Sequence, residues 1–222
     1  MIRIGQEAPD FTANTTQGPM TRSDLRGKWV VLFAHPADYT PVCTTEFVGF
    51  AQKADEFKRL GAQLIGLSVD SVYSHIGWLR DIEENLGTRI PFPVIADQDK
   101  EVARLYGLVD EASGMTLRGV FPIDPTGILR FVMYYPLELG RSIEEIVRSL
   151  QALQTADAYG VAMPANWKPG DRAIIPPPTT VEEANKRTRA GAERWYLLRR
   201  PLSELKKTAK PKGAKGKRGE KG

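Results

Sequence analysis

The 222-residue sequence predicts an α/β protein: a mixed sheet with helices on both faces. Three observations carry the prediction. Short apolar runs rich in β-branched and aromatic residues alternate with amphipathic helical stretches through residues 1–157. The runs are continuous rather than alternating, as in strands buried on both faces. The last two flank Asp124-Pro125-Thr126-Gly127, a hairpin turn by composition, so the sheet cannot be wholly parallel.

In chain order, KWVVLFAH (28–35) is the first buried strand. A helix follows, with Phe47, Phe50, Ala54 and Phe57 on one face. It ends at Gly61 behind Lys58 and Arg59, a normal C-terminal signature. AQLIGLSVD (62–70) is a second buried strand and 72–86 a second amphipathic helix. PVIAD (93–97) is a short third strand, and a helix over 99–106 stops at Gly107. RGVFPID (118–124) and ILRFVMYY (128–135) form the hairpin, and a last amphipathic helix covers about 142–155.

The character changes from about 158. VAMPANWKPGDRAIIPPPTT is rich in proline and polar residues. Thr179-Thr180-Val181-Glu182 reads as the capped start of a short helix to about 190. RWYLLRR (194–200) is an apolar arm flanked by arginines, and 158–205 is expected to lie on the main domain or on a partner subunit. Residues 206–222 lack aromatic and β-branched aliphatic residues, so disorder is expected there.

The net charge of +4 looks like that of a nucleic-acid binder, but its distribution argues otherwise. Residues 206–222 hold eight Lys/Arg and one Glu, leaving 23 basic and 26 acidic residues in the rest. The bulk of the chain is mildly acidic. The tail is read as a solvated extension, with weak, salt-sensitive binding to a polyanion as the sharper alternative. No apolar run reaches the ~20 residues of a membrane helix. The N-terminus lacks a signal-peptide pattern, so a cytoplasmic location is expected.

There is one cysteine, Cys43, and only two histidines, His35 and His75. One cysteine excludes an intrachain disulfide, a CxxC pair and a cysteine-rich zinc site. Two separated histidines offer no ligand cluster, so neither metal nor organic cofactor is expected. The chemistry-bearing stretch is His35-Pro36-Ala37-Asp38-Tyr39-Thr40-Pro41-Val42-Cys43-Thr44-Thr45-Glu46. It joins the C-terminal end of a buried strand to a helix N-terminus, where open α/β sheets place their ligands. With Thr40 as N-cap and Pro41 at N1, Cys43 falls at N3. There, unpaired N–H groups and the helix dipole favour the thiolate, the nucleophilic form. An inert buried thiol is the bland alternative.

Pro36-x-x-x-Thr40-x-x-Cys43, extended to Pro41-Val-Cys-Thr-Thr-Glu46, resembles the active-site motif of the peroxiredoxins. The form HPADYTPVCTTE is similar to their one-cysteine branch and to archaeal thioredoxin peroxidases. GQEAPDF, LIGLSVDS, RIPFPVIAD, YPLELGRS and MPANWKPGD…IIPPPTT also look like family segments, so the resemblance covers about 1–200. It implies a thioredoxin-like peroxidase domain over 1–157 and a C-terminal peroxiredoxin extension or dimerisation arm over 158–205. Beyond them lies the Lys-rich tail, 206–222. It also implies a thiol-specific peroxidase, with Cys43 as peroxidatic cysteine, Pro36 shielding the sulfur and Thr40 hydrogen-bonding sulfur and peroxide. The matching arginine is Arg118.

If the hairpin lies in the same sheet, the strand from Arg118 runs antiparallel to 28–35, and its start lies beside Cys43. Arg141 returns to that edge as well, and two guanidiniums would stabilise negative charge on the sulfur. Glu46 is expected to orient an arginine rather than touch substrate. His35 either hydrogen-bonds near the sulfur or peroxide or caps the strand as a satisfied polar group, and His75 is expected to be ordinary and partly exposed. With no second cysteine, re-reduction needs an external thiol such as thioredoxin or glutathione. The resemblance further implies a homodimer or a decamer of five dimers. The competing reading is an oligomeric holdase or redox-signalling partner without turnover. Gly66-Leu67-Ser68-Val69-Asp70 fails the lipase pattern Gly-x-Ser-x-Gly at its last position, so a lipase function is not supported.

Overall fold

In the computed structural model, residues 2–190 and 192–208 are described. The expectation of disorder over 206–222 falls, from residue 209 onward, outside them. The chain divides into two compact units between Val147 and Arg148.

The first unit holds a seven-stranded mixed sheet, in the order β2-β1-β5-β4-β3-β6-β7. Its elements in chain order are β1 (Thr12–Thr15), β2 (Gly18–Thr21), β3 (Trp29–Ala34), α1 (Pro41–Gln52), α2 (Ala54–Arg59), β4 (Ala62–Ser68), α3 (Val72–Leu86), β5 (Val94–Ala96), α4 (Glu101–Leu105), β6 (Arg118–Ile123) and β7 (Met133–Tyr135). Strands β3, β4 and β5 are parallel neighbours, and β6 pairs antiparallel with β3 and then with β7. The C-terminal ends of β3, β4 and β5 therefore meet the start of β6 and the end of β7 at one edge.

The two-residue period of β3 sorts its side chains. Val30, Leu32 and Ala34 join a core with Phe11, Ile65, Leu67, Tyr106 and Phe121. Phe33 points the other way and stacks on Phe50 of α1, with centroids 3.9 Å apart and Phe47 and Phe92 at its edges. His35, next in phase on that side, lies 4.7 Å from the Phe47 ring and 5.1 Å from Trp78.

The expected helix to Gly61 is in fact two. Lys53, at φ −98° and ψ 1°, breaks it between α1 and α2, and Phe50 and Phe57 are both fully buried with rings 6.2 Å apart. The 72–86 helix has its Ser71 hydroxyl on the Ser74 N–H and Gly87 at φ +64° after its last residue. The returning strand of the hairpin is shorter than its sequence suggests. Ile123 bridges Leu129, whereas Val120 pairs with Met133, so the return carries one extra residue between the two pairings, a bulge. The β1–β2 hairpin was not expected, because its Thr-rich strands carry almost no apolar pattern.

A last helix, α5 (Ile143–Tyr159), runs from the first unit into the second, four residues beyond its expected end. In the second unit Thr180 caps α6 (Val181–Arg189), accepting from the Glu183 N–H, and β8 (Ala173–Ile174) pairs with β9 (Arg199–Arg200).

Gly119 in β6, near the edge where β3 ends, leaves no room for a side chain. A Cβ there would lie 2.4 Å from Leu108 Cδ2 and 2.7 Å from Phe121 Cε2. Both neighbours are fully buried, so Gly119→Ala should destabilise the fold by about 1–3 kcal/mol, read as a lower urea midpoint. An unchanged midpoint would mean that the edge yields freely.

Candidate active site

Thr40 is the N-cap of α1 at φ −104° and ψ 145°, and Pro41 occupies the first turn. Cys43 stands two residues later and is fully buried. Arg118 reaches it from the start of β6: its Nη1 donates to Cys43 Sγ at 3.3 Å and to Glu46 Oε2 at 2.8 Å. The guanidinium is fixed from behind, since Nε and Nη2 both donate to the Leu137 carbonyl at 3.2 and 3.0 Å.

Glu46 lies one helical turn beyond Cys43, so its carboxylate projects to the same side of α1. It holds both arginines. Arg141 donates to it from Nε at 2.8 Å, from Nη2 at 2.6 Å and from its own backbone N–H at 2.8 Å. Arg141 Nη1 donates to the carbonyls of Ala34 and Gly119, tying the guanidinium to the ends of β3 and β6. All its nitrogens are engaged, so only Arg118 contacts the sulfur. Two guanidiniums on the thiolate were expected; here the second acts on the carboxylate that holds the first. The Arg141 guanidinium also lies over Phe33 and Phe50, 5.4 and 5.6 Å from their centroids.

Arg118, Arg141 and Glu46 are 2, 6 and 3% exposed and together carry one net positive charge. A Cys43 thiolate brings that count to zero. Burial alone would raise the Glu46 carboxyl, but the hydrogen bonds and charge of Arg141, then the charge of Arg118, outweigh it and hold the group below its ordinary range.

Pro36 is buried at the first position after His35. The Thr40 hydroxyl donates to the Ala37 carbonyl at 2.9 Å rather than to the sulfur. Its proton is committed, and its oxygen remains able to accept. His35 is hydrogen-bonded to Asp38 through Nε2 at 2.8 Å. His75, expected to be partly exposed, is fully buried: Nδ1 lies 2.8 Å from Asp38 Oδ2, and Nε2 lies 3.1 Å from the Ile95 carbonyl. The two histidines are therefore not separated, because Asp38 draws both onto one carboxylate. Ligand-type atoms of His35, Asp38 and His75 lie within 4.8 Å of one another, but their contacts are those of a hydrogen-bonded set, and we read them as one. Sequence reasoning missed Asp38, although it sits inside the motif. Nothing near His75 in sequence pointed to a partner 37 residues away.

Residues 4–132 match the AhpC/TSA family, and residues 152–191 match the C-terminal domain of 1-Cys peroxiredoxin. A peroxiredoxin of Thermoplasma volcanium is 58% identical over 197 residues, covering 88% of this chain and 97% of that one. A solved structure of a yeast mitochondrial 1-Cys peroxiredoxin is 40% identical at a TM-score of 0.80, covering 94% of this chain and all of that one. A cysteine-to-serine mutant of the peroxiredoxin 6 of Arenicola marina is 39% identical at a TM-score of 0.77, covering 84% of this chain and 89% of that one.

The folded-state pKa of Glu46 lies below its unfolded value, so its contribution to stability is present above about pH 4.3 and is lost as pH falls through the folded value. Glu46→Gln should flatten that part of the stability–pH curve. At pH 7 it should cost about 3–5 kcal/mol, since it breaks a buried pair from one side. Denaturant titrations of both proteins from pH 3 to about 7 check this. A variant that keeps the wild-type acid dependence would show that Glu46 carries no linked charge.

Proposed function

The chain belongs to the AhpC/TSA family, the peroxiredoxins, and from that premise we propose how its single cysteine works as a thiol-dependent peroxidase. The observation that carries the reading is the 3.3 Å contact between Arg118 Nη1 and the buried sulfur in the first turn of α1. The Cys43 thiolate attacks the terminal oxygen of hydrogen peroxide or an organic hydroperoxide. An S–O bond forms and the O–O bond breaks. The electron pair leaves on the departing oxygen, which takes a proton from solvent to become water or an alcohol. Cys43 is left as a sulfenic acid.

Each proposed role follows from a position. Arg118 donates toward the charge that moves from sulfur to the departing oxygen, and Glu46 with Arg141 keeps it aimed there. Backbone N–H groups of the α1 first turn add to this. Thr40, its proton given to Ala37, accepts the peroxide O–H and so orients the substrate. Pro36 closes the pocket as an apolar wall. His35 supports the loop through Asp38.

An external thiol then attacks the sulfenic sulfur, releasing water and leaving a mixed disulfide, which a second thiol cleaves. The yeast neighbour is described as resolved via glutathione/thioredoxin systems, which supports a reductant of that kind for this chain. A homodimer, or a larger ring of dimers, belongs to the same proposal. The half-exposed Trp195 and Tyr196 of the C-terminal arm support it. No helix among the described residues is long and apolar enough to cross a membrane, and a cytoplasmic role in antioxidant defence completes the reading. The non-catalytic holdase is not favoured.

Peroxide consumption with a thiol donor should vanish in Cys43→Ser, and turnover persisting in that variant would defeat the reading. Without reductant, excess peroxide should carry Cys43 to the sulfinic acid, a gain of two oxygens by intact mass. A chain that stays unmodified would contradict the proposed nucleophile.

A further inference from the structure

The loop from His35 to Thr40 contains one strained residue. Tyr39 has φ +54°, the left-handed region that a bulky side chain seldom occupies. It stands directly between Asp38 and the α1 cap Thr40, so whatever holds it also sets where Thr40 and the first turn begin.

The contacts around it come from α3, from the end of β3 and from the turn after β4. The Asp38 carboxylate accepts from His75 Nδ1 and from His35 Nε2, each at 2.8 Å. The Asp38 N–H donates to Asp70 Oδ2 at 3.1 Å, and Asp70 also accepts from the Ser68 hydroxyl at 2.7 Å. Two residues beyond His75, Gly77 leaves room for the Tyr39 hydroxyl, which a Cβ there would meet at 2.7 Å. Thr40 closes the turn on the Ala37 carbonyl. Helix α3 thus supplies one arm of the clamp, His75, and the space beside the Tyr39 hydroxyl.

The partners of His75 bear on the charge of that clamp. Both ring nitrogens of His75 face oxygens that accept, the Asp38 carboxylate and the Ile95 carbonyl. A neutral imidazole has one N–H, so two such bonds require the imidazolium. The titratable groups facing it are Asp38 from the loop, with Asp70 behind it, and His35 from the end of β3. Burial disfavours a charge on His35, whose Nδ1 is buried without a partner, so it sits as the neutral tautomer with its proton on Nε2.

We propose that His75 is a positioning residue: as an imidazolium paired with Asp38, it locks the strained Tyr39 turn and so places Thr40 and Pro36 against the nucleophile. The role rests on the reading of Cys43 as the peroxidatic residue, but the charge state does not.

The chain has only two histidines, so ¹⁵N-histidine NMR of the reduced full-length protein resolves both rings. His75 should carry protons on both nitrogens at neutral pH and His35 on one, with His75→Asn assigning the signals. A bare nitrogen on His75 would overturn the proposal. In stopped-flow reactions of Cys43 with hydrogen peroxide, His75→Leu should slow the step about tenfold or more, since small misplacements near reacting atoms are costly. His75→Asn, which keeps a donor at the Nδ1 position, should remain within about threefold of wild type. Adding Tyr39→Asn to His75→Leu should recover part of the loss, because asparagine tolerates the left-handed region. Equal slowing by Leu and Asn, or no recovery, would reduce His75 to a packing residue. A wild-type Cys43 inert to peroxide would instead defeat the peroxidase reading and leave the NMR result standing.

Discussion

The structure turns on one buried carboxylate. Glu46 accepts four hydrogen bonds, three from Arg141 and one from Arg118, in a place almost without water. An arginine next to a sulfur inside a protein is not stable by itself, since its charge must be matched and its long side chain fixed. Glu46 does both. It leaves one uncompensated positive charge beside Cys43, which a thiolate there would balance. Replacing such a pair by apolar residues often costs nothing in stability, so its presence is better explained by chemistry than by folding.

The sheet brings this about through strand direction. Because β6 runs antiparallel to β3, its first residue lies where β3 ends, and the α1 N-terminus begins at the same edge. The stretch after β7 supplies the Leu137 carbonyl that backs Arg118, and its continuation carries Arg141. Three stretches distant in sequence, residues 34–46, 118–119 and 137–141, thus converge on Cys43. The Phe33–Phe50 stack and the Arg141 guanidinium over both rings connect this polar cluster to the aromatic core.

Much of this was legible in the sequence for identifiable reasons. Thr40-Pro41 marked a helix start, which placed Cys43 in the first turn, and the DPTG turn fixed the direction of the strand from Arg118. The 72–86 helix was legible from its amphipathic period. What escaped had non-local causes. His75 lies on a helix whose inward polar residue makes sense only once Asp38, on another segment, is known. The Thr40 hydroxyl could reach sulfur or backbone equally well from its sequence position, and the turn geometry sends it to Ala37. The edge hairpin β1–β2 has too few apolar residues to show a period, and the bulge before β7 leaves no compositional mark.

The role proposed for Arg118 is to stabilise charge as the O–O bond breaks, rather than merely to hold the sulfur in place. The direct measurement compares two rate constants of Cys43 in wild type and in Arg118→Met, one with hydrogen peroxide and one with a neutral alkylating agent. Loss of a preorganised donor to developing charge should slow the peroxide reaction by about 10²–10³-fold and the alkylation far less. Equal slowing of the two reactions would contradict the account, because it would place the whole effect of Arg118 on the sulfur.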